Sequence, residues 1–104
     1  MAYTCEEPSA AEEAAEVLKA IAHPVRLRIV AILCDEELHV NALAERLGVP
    51  QSIVSQQLRI LRMRSLVSVT RTNGHAYYRL TQPHLRQMVQ CMDSCLIDQG
   101  AKEP

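Results

Sequence analysis

Apolar residues in the middle of the chain recur at helical spacing in two short stretches. The stripes are Val40, Leu43, Ala44 and Leu47 in the first stretch, then Val54, Leu58 and Leu61 in the second. Positions i, i+3, i+4 and i+7 share one face of an α-helix, so each stretch predicts a short helix with one buried face. Residues 48–50, Gly-Val-Pro, separate the stretches. Two short helices joined by a glycine-containing turn predict a helix-turn-helix unit over residues 40–63.

The second of these helices carries a polar face opposite its apolar stripe. Ser52, Ser55, Gln56 and Arg59 repeat the same spacing there. Hydroxyl, amide and guanidinium groups bond DNA phosphates and base edges, so this face predicts a helix that reads the major groove. The candidate DNA-binding residues of this helix are Gln51, Ser52, Ser55, Gln56, Arg59 and Arg62.

Two helices are predicted before this unit. Ser9 and Glu12 match a capping box, in which Ser9 is the N-cap, and this predicts a first helix over residues 9–22. Pro24 suits the first turn of a second helix that extends to about Cys34.

After the reading helix, the pattern changes from helical to alternating. Residues 65–71 and 76–80 alternate apolar and polar positions, with β-branched and aromatic side chains, which predicts two strands. The Asn73-Gly74 pair between them is a strong signal for a hairpin turn. A hairpin directly after a helix-turn-helix forms a wing. Arg71 and Asn73 near its tip are therefore further candidates for contact with the DNA backbone or minor groove.

A last helix, with Pro83 in its first turn, is predicted over residues 82–97. The predicted fold is then mainly α (α+β), a winged helix-turn-helix with four helices, a β-hairpin and a fifth helix. We expect one domain at residues 9–98, with flexible tails at 1–8 and 99–104. The chain has 104 residues, no Trp or Phe and three Tyr, so the core is aliphatic. We expect so small a domain to form a homodimer through its terminal helices.

The charges are segregated along the chain. The net charge is −1, which alone does not favour nucleic acid. Residues 1–45, however, hold nine acidic and three basic side chains, whereas residues 46–92 hold seven arginines and no acid. A segregated basic surface attracts a polyanion whatever the total charge, so the distribution favours double-stranded DNA as the partner.

Several other classes of protein are not expected from this sequence. No apolar run approaches the roughly 20 residues of a membrane span, and the N-terminus lacks a basic, apolar leader. The expectation is a soluble, cytoplasmic protein without membrane contact. No Ser-His-Asp arrangement, glycine-rich phosphate loop or pair of carboxylates indicates an enzyme. A winged helix that binds a protein instead of DNA is the alternative, and salt-dependent binding to duplex DNA would separate the two.

Four segments, in the same order and spacing, resemble the ArsR/SmtB family of winged-helix repressors. Residues 18–29 (LKAIAHPVRLRI) resemble the family's LKALAxPxRLxIL opening, and residues 37–43 (ELHVNAL) its ELxVxxL third helix. Residues 51–62 (QSIVSQQLRILR) are similar to its QSxVSxHLxxLR recognition helix, and residues 71–80 (RTNGHAYYRL) to its RxGxxxxYxL wing. The chain departs from the pattern at Gln57, where His is usual, and at Ser65, where Gly usually closes the recognition helix.

This resemblance implies a homodimer that binds a palindromic operator and represses until a metal ion or a thiol-modifying signal releases it. The family's best-known thiolate site uses two cysteines in ELCVCDL on the third helix. His39 and Asn41 occupy those positions here, so that site is absent. His39 is instead expected to face solvent or to cap a helix.

The last helix offers another candidate metal site. At 100° per residue His84, Cys91, Cys95 and Asp98 lie within about 60° of one another, but His84 and Cys95 are about 16 Å apart along the axis. Two antiparallel copies of the helix could bring them together. The resemblance implies this arrangement, because the family's interfacial zinc site follows a DxHx10HxxE pattern. Gln82 replaces its Asp, His84 keeps its His, Cys95 replaces its second His, and Asp98 replaces its Glu. The implied cofactor is Zn²⁺ or another thiophilic ion, with Cys91 or water completing the shell.

A thiol switch is the competing interpretation of the cysteines. Some family members sense persulfides or oxidants with one cysteine on the second helix and one on the last, which here suggests Cys34 with Cys91 or Cys95. The positions differ from those of such sensors by a few residues at each end. The remaining alternative is that these cysteines are small apolar residues at a dimer interface. Cys5, in the acidic N-terminal segment, is expected to be idle, and the alternative is that this segment folds over to supply it as an extra ligand.

Overall fold

The computed structural model describes the backbone of residues 4–100 and the side chains of residues 4–97. The elements are α1 (Pro8–Ile21), α2 (Pro24–Leu33), β1 (Leu38–His39), α3 (Val40–Leu47), α4 (Gln51–Met63), β2 (Val67–Thr72), β3 (His75–Leu80) and α5 (Leu85–Gly100). The three strands form one antiparallel sheet in the order β1-β3-β2. The predicted mainly α winged helix-turn-helix fold is confirmed. No helix within the described range is long and apolar enough to cross a membrane.

The core is aliphatic and α2 lies at its centre. Ile29 and Val30 of α2 are completely buried, and α2 packs against α1, α3, α4, α5 and β3. The predicted stripes supply much of the remaining core. Leu43 of α3 and Leu58 and Leu61 of α4 are at most 1% exposed. Burial of apolar surface of this kind is the main favourable term in folding.

The turn between α3 and α4 depends on a left-handed residue. Gly48, with φ of 66°, ends α3, and its N–H bonds the carbonyl groups of Ala44 and Glu45. Glycine adopts this conformation without the steric cost that a side chain imposes. Pro50 then lies directly before α4, which begins at Gln51.

The hairpin has the predicted two-residue turn. Asn73 and Gly74 both have positive φ, 52° and 81°, and Thr72 pairs with His75 across the turn. Positive φ at both central residues is the type I′ geometry that matches the twist of a hairpin. The sheet also contains a strand that the sequence did not predict. β1 is only two residues long, and Leu38 and His39 pair with Tyr78 and Tyr77 of β3.

Both terminal helices begin at a different residue from the predicted one. α1 starts at Pro8 with Glu7 as its N-cap and no side-chain cap hydrogen bond, so the capping box at Ser9 was wrong. Proline at the first helical position has its φ already set, which favours this start. α5 starts at Leu85, and the Leu85 N–H bonds the Gln82 carbonyl in a preceding turn. The parts of the tails at residues 1–3 and 101–104 lie outside the described range.

Candidate DNA-binding surface and terminal-helix face

α4 separates an apolar from a polar face, as its sequence predicted. Ser52, Ser55, Gln56 and Arg59 are exposed, while the opposite stripe is buried. Gln51 and Arg62, at the two ends of the same helix, are also exposed. The buried stripe fixes the rotation of α4, so the polar groups must point outward into solvent.

A hydrogen bond between α2 and α4 holds one residue of the reading helix. The Arg26 guanidinium donates through Nη1 to Gln57 Oε1 at 3.0 Å. Gln57 is half-buried, so the amide that replaces the usual histidine has its oxygen engaged by α2. The Arg26 Nε is buried and has no hydrogen-bond partner among the described residues. Gln57 therefore helps to hold α4 against α2.

Part of the seven-arginine segment is engaged by acidic side chains in the folded chain. Three ion pairs join arginines of residues 46–92 to acids from earlier in the chain: Arg46 to Glu36 at 2.7 Å, Arg64 to Glu16 at 2.8 Å and Arg86 to Asp35 at 3.0 Å. Arg79 lines a cavity of about 340 Å³ together with Glu36 and Glu37. Within residues 46–92, the exposed arginines without an ion pair in the described structure and away from this cavity are Arg59, Arg62 and Arg71. Fewer arginines of this segment are therefore unpaired than the charge count of the sequence suggested.

The wing carries its candidate contacts at the exposed tip. Arg71 and Asn73 are both exposed, and Asn73 lies in the turn itself. At the base of the wing, His39 Nδ1 accepts the Asn41 N–H at 3.1 Å and so caps the N-terminus of α3. Its ring lies 5.7 Å from the His75 ring and 5.8 Å from that of Tyr77. His39 thus has the expected capping role.

The structure separates the residues of the candidate metal site. Cys91 and Cys95 are exposed on α5. His84 precedes α5, so the helical spacing that placed it beside the cysteines does not apply. It lines a cavity of about 420 Å³ between α1, the end of α4 and the start of α5. The Asp98 side chain lies outside the described residues. Within the described part of one protomer, no three His, Cys, Asp or Glu side chains are grouped to hold a metal ion.

Cys34 is in a different environment from the cysteines of α5. It ends α2 and is half-buried, and this burial raises the pKa of its thiol, while the nearby Arg86 guanidinium opposes the rise. Arg86 also donates to the Cys34 carbonyl, which ties α5 to the end of α2. Because a thiol with a raised pKa yields less thiolate, Cys34 is less suited to react than an exposed cysteine. Cys5 is exposed.

An apolar surface runs over α1, α2 and α5. Its exposed members are Leu18, Leu27, Met92, Leu96 and Ile97, and the last two are 60% and 69% exposed. A cavity of about 250 Å³ lies in it, lined by Leu18, Ile21, Ala22, Leu27, Met88 and Met92. Leu18, Leu27 and Met92 meet at this cavity, and an exposed apolar patch of this kind usually marks an interaction site.

The buried stripe and the exposed polar face of α4, together with the neighbouring hairpin and its basic tip, define a winged helix-turn-helix DNA-binding protein. A family model described as bacterial regulatory protein, arsR family, matches residues 23–69. The biofilm growth-associated repressor of Xylella fastidiosa is 38% identical over 82 residues, which are 79% of this chain and 72% of that protein. The transcriptional repressor SmtB homolog of Synechocystis is 41% identical over 78 residues, 75% of this chain and 59% of that protein.

Solved structures give the same result. The crystal structure of the transcriptional repressor BigR from Xylella fastidiosa is 35% identical with a TM-score of 0.81, and the match covers 89% of this chain and 96% of that one. A homodimeric winged helix-turn-helix DNA-binding domain from Mycobacterium bovis is 25% identical with a TM-score of 0.74, covering 100% and 96%. The chain belongs to the ArsR family and is a transcriptional repressor of the ArsR/SmtB type. The two curated relatives and BigR are repressors rather than enzymes.

Proposed function

We propose that this chain is a homodimeric repressor that binds a palindromic double-stranded operator and releases it when a metal ion or thiol-reactive signal acts on its terminal helices. The observation that carries the DNA half is the exposed polar face of α4, fixed by the buried stripe behind it. In this proposal α4 enters the major groove, and Arg71 and Asn73 of the wing contact the backbone or minor groove.

Substitution of Arg59 tests the reading helix. A bidentate contact between an arginine and a base contributes about 1–3 kcal/mol of discrimination. Arg59→Ala should therefore weaken binding to a fluorescent operator about 5- to 150-fold at fixed salt, by conversion of that free energy. Arg46→Ala is the matched control, since Arg46 is paired with Glu36. Equal affinity of the Arg59→Ala variant and the unmodified protein would exclude this assignment of the reading helix.

The homodimer is supported by the apolar surface of α1, α2 and α5. A two-fold dimer buries the same surface on both subunits and places two reading helices at symmetric half-sites, which is why a palindromic operator is expected. Leu96→Glu should shift the protein to a monomer in sedimentation equilibrium and reduce operator affinity. If that variant stays dimeric, the interface lies elsewhere. An affinity for duplex DNA that does not change with salt concentration would instead favour a protein-binding module.

The signal is proposed to act at α5, through Zn²⁺ or another thiophilic ion or through a persulfide or oxidant. Cys91 and Cys95 are the exposed thiols there, and His84 and Asp98 are the candidate ligands that a second protomer would have to bring to them. Reduced protein on a fluorescent operator is titrated with Zn²⁺, Cd²⁺, As(III) and, separately, a persulfide donor. The Cys91→Ser/Cys95→Ser variant should lose the response and Cys34→Ser should keep it. A full response of the double variant to every inducer would contradict the proposal.

A further inference from the structure

The largest of the three cavities described above lies between α1, the end of α4 and the start of α5, and we call it the Arg64 cavity after the cation that lines it. Its volume is about 420 Å³, and pockets for small molecules have roughly 300–1,000 Å³. Its apolar lining consists of Leu66 and Leu85, which are buried, and Val17 and Met88, which are half-buried. The cavity therefore offers an apolar surface to the body of a small molecule.

Hydrogen bonds hold the backbone of the cavity wall that follows α4. The Thr81 hydroxyl donates to the Ser65 carbonyl at 2.5 Å, and the Thr81 N–H donates to the Leu66 carbonyl at 3.0 Å. The Leu66 N–H donates in turn to the Leu61 carbonyl at 2.9 Å. This wall is thus formed before a ligand arrives, as in most small-molecule sites.

The polar lining of the Arg64 cavity complements an anion. Its polar side chains are those of Arg64, Ser65, Gln82 and His84. None of the eight lining residues, all of which the structure describes, is acidic. The cavity of about 340 Å³ that Arg79 lines is different, because three acidic residues line it as well. A guanidinium without a carboxylate in the same lining favours a negatively charged ligand.

Arg64 already binds a carboxylate of the protein itself. Its Nη1 lies 2.8 Å from Glu16 Oε1, and the two side chains are 50% and 46% exposed. Exposed ion pairs of this kind contribute little to stability. Glu16 also lies 3.3 Å from Lys19 Nζ, so it keeps a cationic partner when Arg64 binds another carboxylate. Exchange of one carboxylate for another on Arg64 therefore has a low cost in free energy.

We propose that the Arg64 cavity binds a small monocarboxylate with an apolar body. The ligand carboxylate replaces that of Glu16 on Arg64, and the ligand body lies against Leu66 and Leu85. Arginine suits this role because its guanidinium can donate two parallel hydrogen bonds to one carboxylate. The site is separate from the cysteines of α5, and it does not depend on the proposed function because its ligand binds in the absence of DNA.

The site is tested with three probes of equal chain length by isothermal titration calorimetry on the full chain without DNA. Octanoate should bind once per protomer. Octanamide, which lacks the charge, should bind about 5-fold more weakly, and the cation octylamine should not bind. Hexanoate should bind about 15-fold more weakly than octanoate, because it has two fewer methylene groups to bury and each contributes a factor of about 4.

Two variants of one ion pair should change octanoate affinity in opposite directions. Arg64→Gln removes the anchor and should weaken binding about 5-fold, whereas Glu16→Gln frees Arg64 and should strengthen it by a similar factor. Both variants break the same contact, so damage to the fold would weaken binding in both. Arg79→Gln and Glu12→Gln remove equal charges elsewhere and are the matched controls, with octanoate affinity expected to be unchanged.

Four results would overturn the inference: no binding of octanoate, equal binding of octylamine, unchanged affinity in Arg64→Gln, or weaker binding in Glu16→Gln. Unchanged affinity in Arg64→Gln would place octanoate elsewhere, for example in the apolar cavity of α1, α2 and α5. A protein that shows the expected octanoate binding but binds no duplex DNA supports this site and contradicts the proposed function.

Discussion

The salt dependence of operator binding should show how many arginines contact phosphate. Neutralising a phosphate releases a counterion, and log K falls with log salt by about 0.9 for each contact. Of the seven arginines in residues 46–92, Arg59, Arg62 and Arg71 are exposed, have no ion pair among the described residues and lie away from the acid-lined cavity that Arg79 lines. With three such arginines in each of two protomers, six contacts give a slope of about −5. If all seven arginines of residues 46–92 took part, fourteen contacts would give about −13.

Two variants make this prediction specific. Operator affinity is measured by fluorescence anisotropy over a series of salt concentrations. Arg71→Ala removes one contact in each protomer, so the magnitude of the slope should fall by about 2. Arg46→Ala removes an equally charged side chain that is held by Glu36 at 2.7 Å, and the slope should not change. A slope near −13, or the same decrease in both variants, would refute the conclusion that the ion pairs withdraw these arginines from DNA.

Three further predictions concern stability and reactivity. Ser65 has a φ of 60°, a conformation that costs a residue with a side chain about 1 kcal/mol. Ser65→Gly should therefore raise the melting temperature by about 4–8 °C in calorimetry, and a lower value would contradict the strain. Burial raises the pKa of Cys34, so at neutral pH iodoacetamide should label the exposed Cys91 first, with Cys34 following as the pH rises. Equal labelling rates in a mass spectrometric time course would contradict this. A hydrogen bond from Lys19 and its charge hold the pKa of Glu16 below its ordinary value of 4.5. The stabilisation from Glu16 is thus complete above that value and is lost as the pH falls through the lowered pKa. The free energy of unfolding of the Glu16→Gln variant, measured with urea, should depend less on pH in this acidic range than that of the unmodified protein. The same pH dependence in both proteins would contradict this prediction.

Local patterns predicted the parts of the fold that local physics determines. The stripe of Leu58 and Leu61 set the buried face of α4, and Asn73-Gly74 set the hairpin turn because positive φ is intrinsic to those residues. The first residue of a helix was harder to predict, because several local sequence signals compete to set it. At the N-terminus, a proline at the first helical position took precedence over the capping box at Ser9.

Contacts between distant parts of the chain could not be predicted in this way. Asp35 and Arg86 are 51 residues apart, and only the folded chain brings them within 3.0 Å. The same holds for the bond between Arg26 and Gln57, which are 31 residues apart. The short strand β1 forms only because β3 is present to pair with it. The charge count along the sequence therefore did not reveal that three of the seven arginines are paired with acids from earlier in the chain.

The two surfaces of the protein are attached to opposite ends of α2. At its first turn, Arg26 donates a hydrogen bond to Gln57 of α4, and at its C-cap the Cys34 carbonyl accepts a hydrogen bond from Arg86 of α5. Between these ends Ile29 and Val30 are completely buried. A close-packed interior of this kind has low compressibility and transmits strain. We therefore expect a displacement of α5 that leaves these bonds intact to be transmitted through α2 to α4.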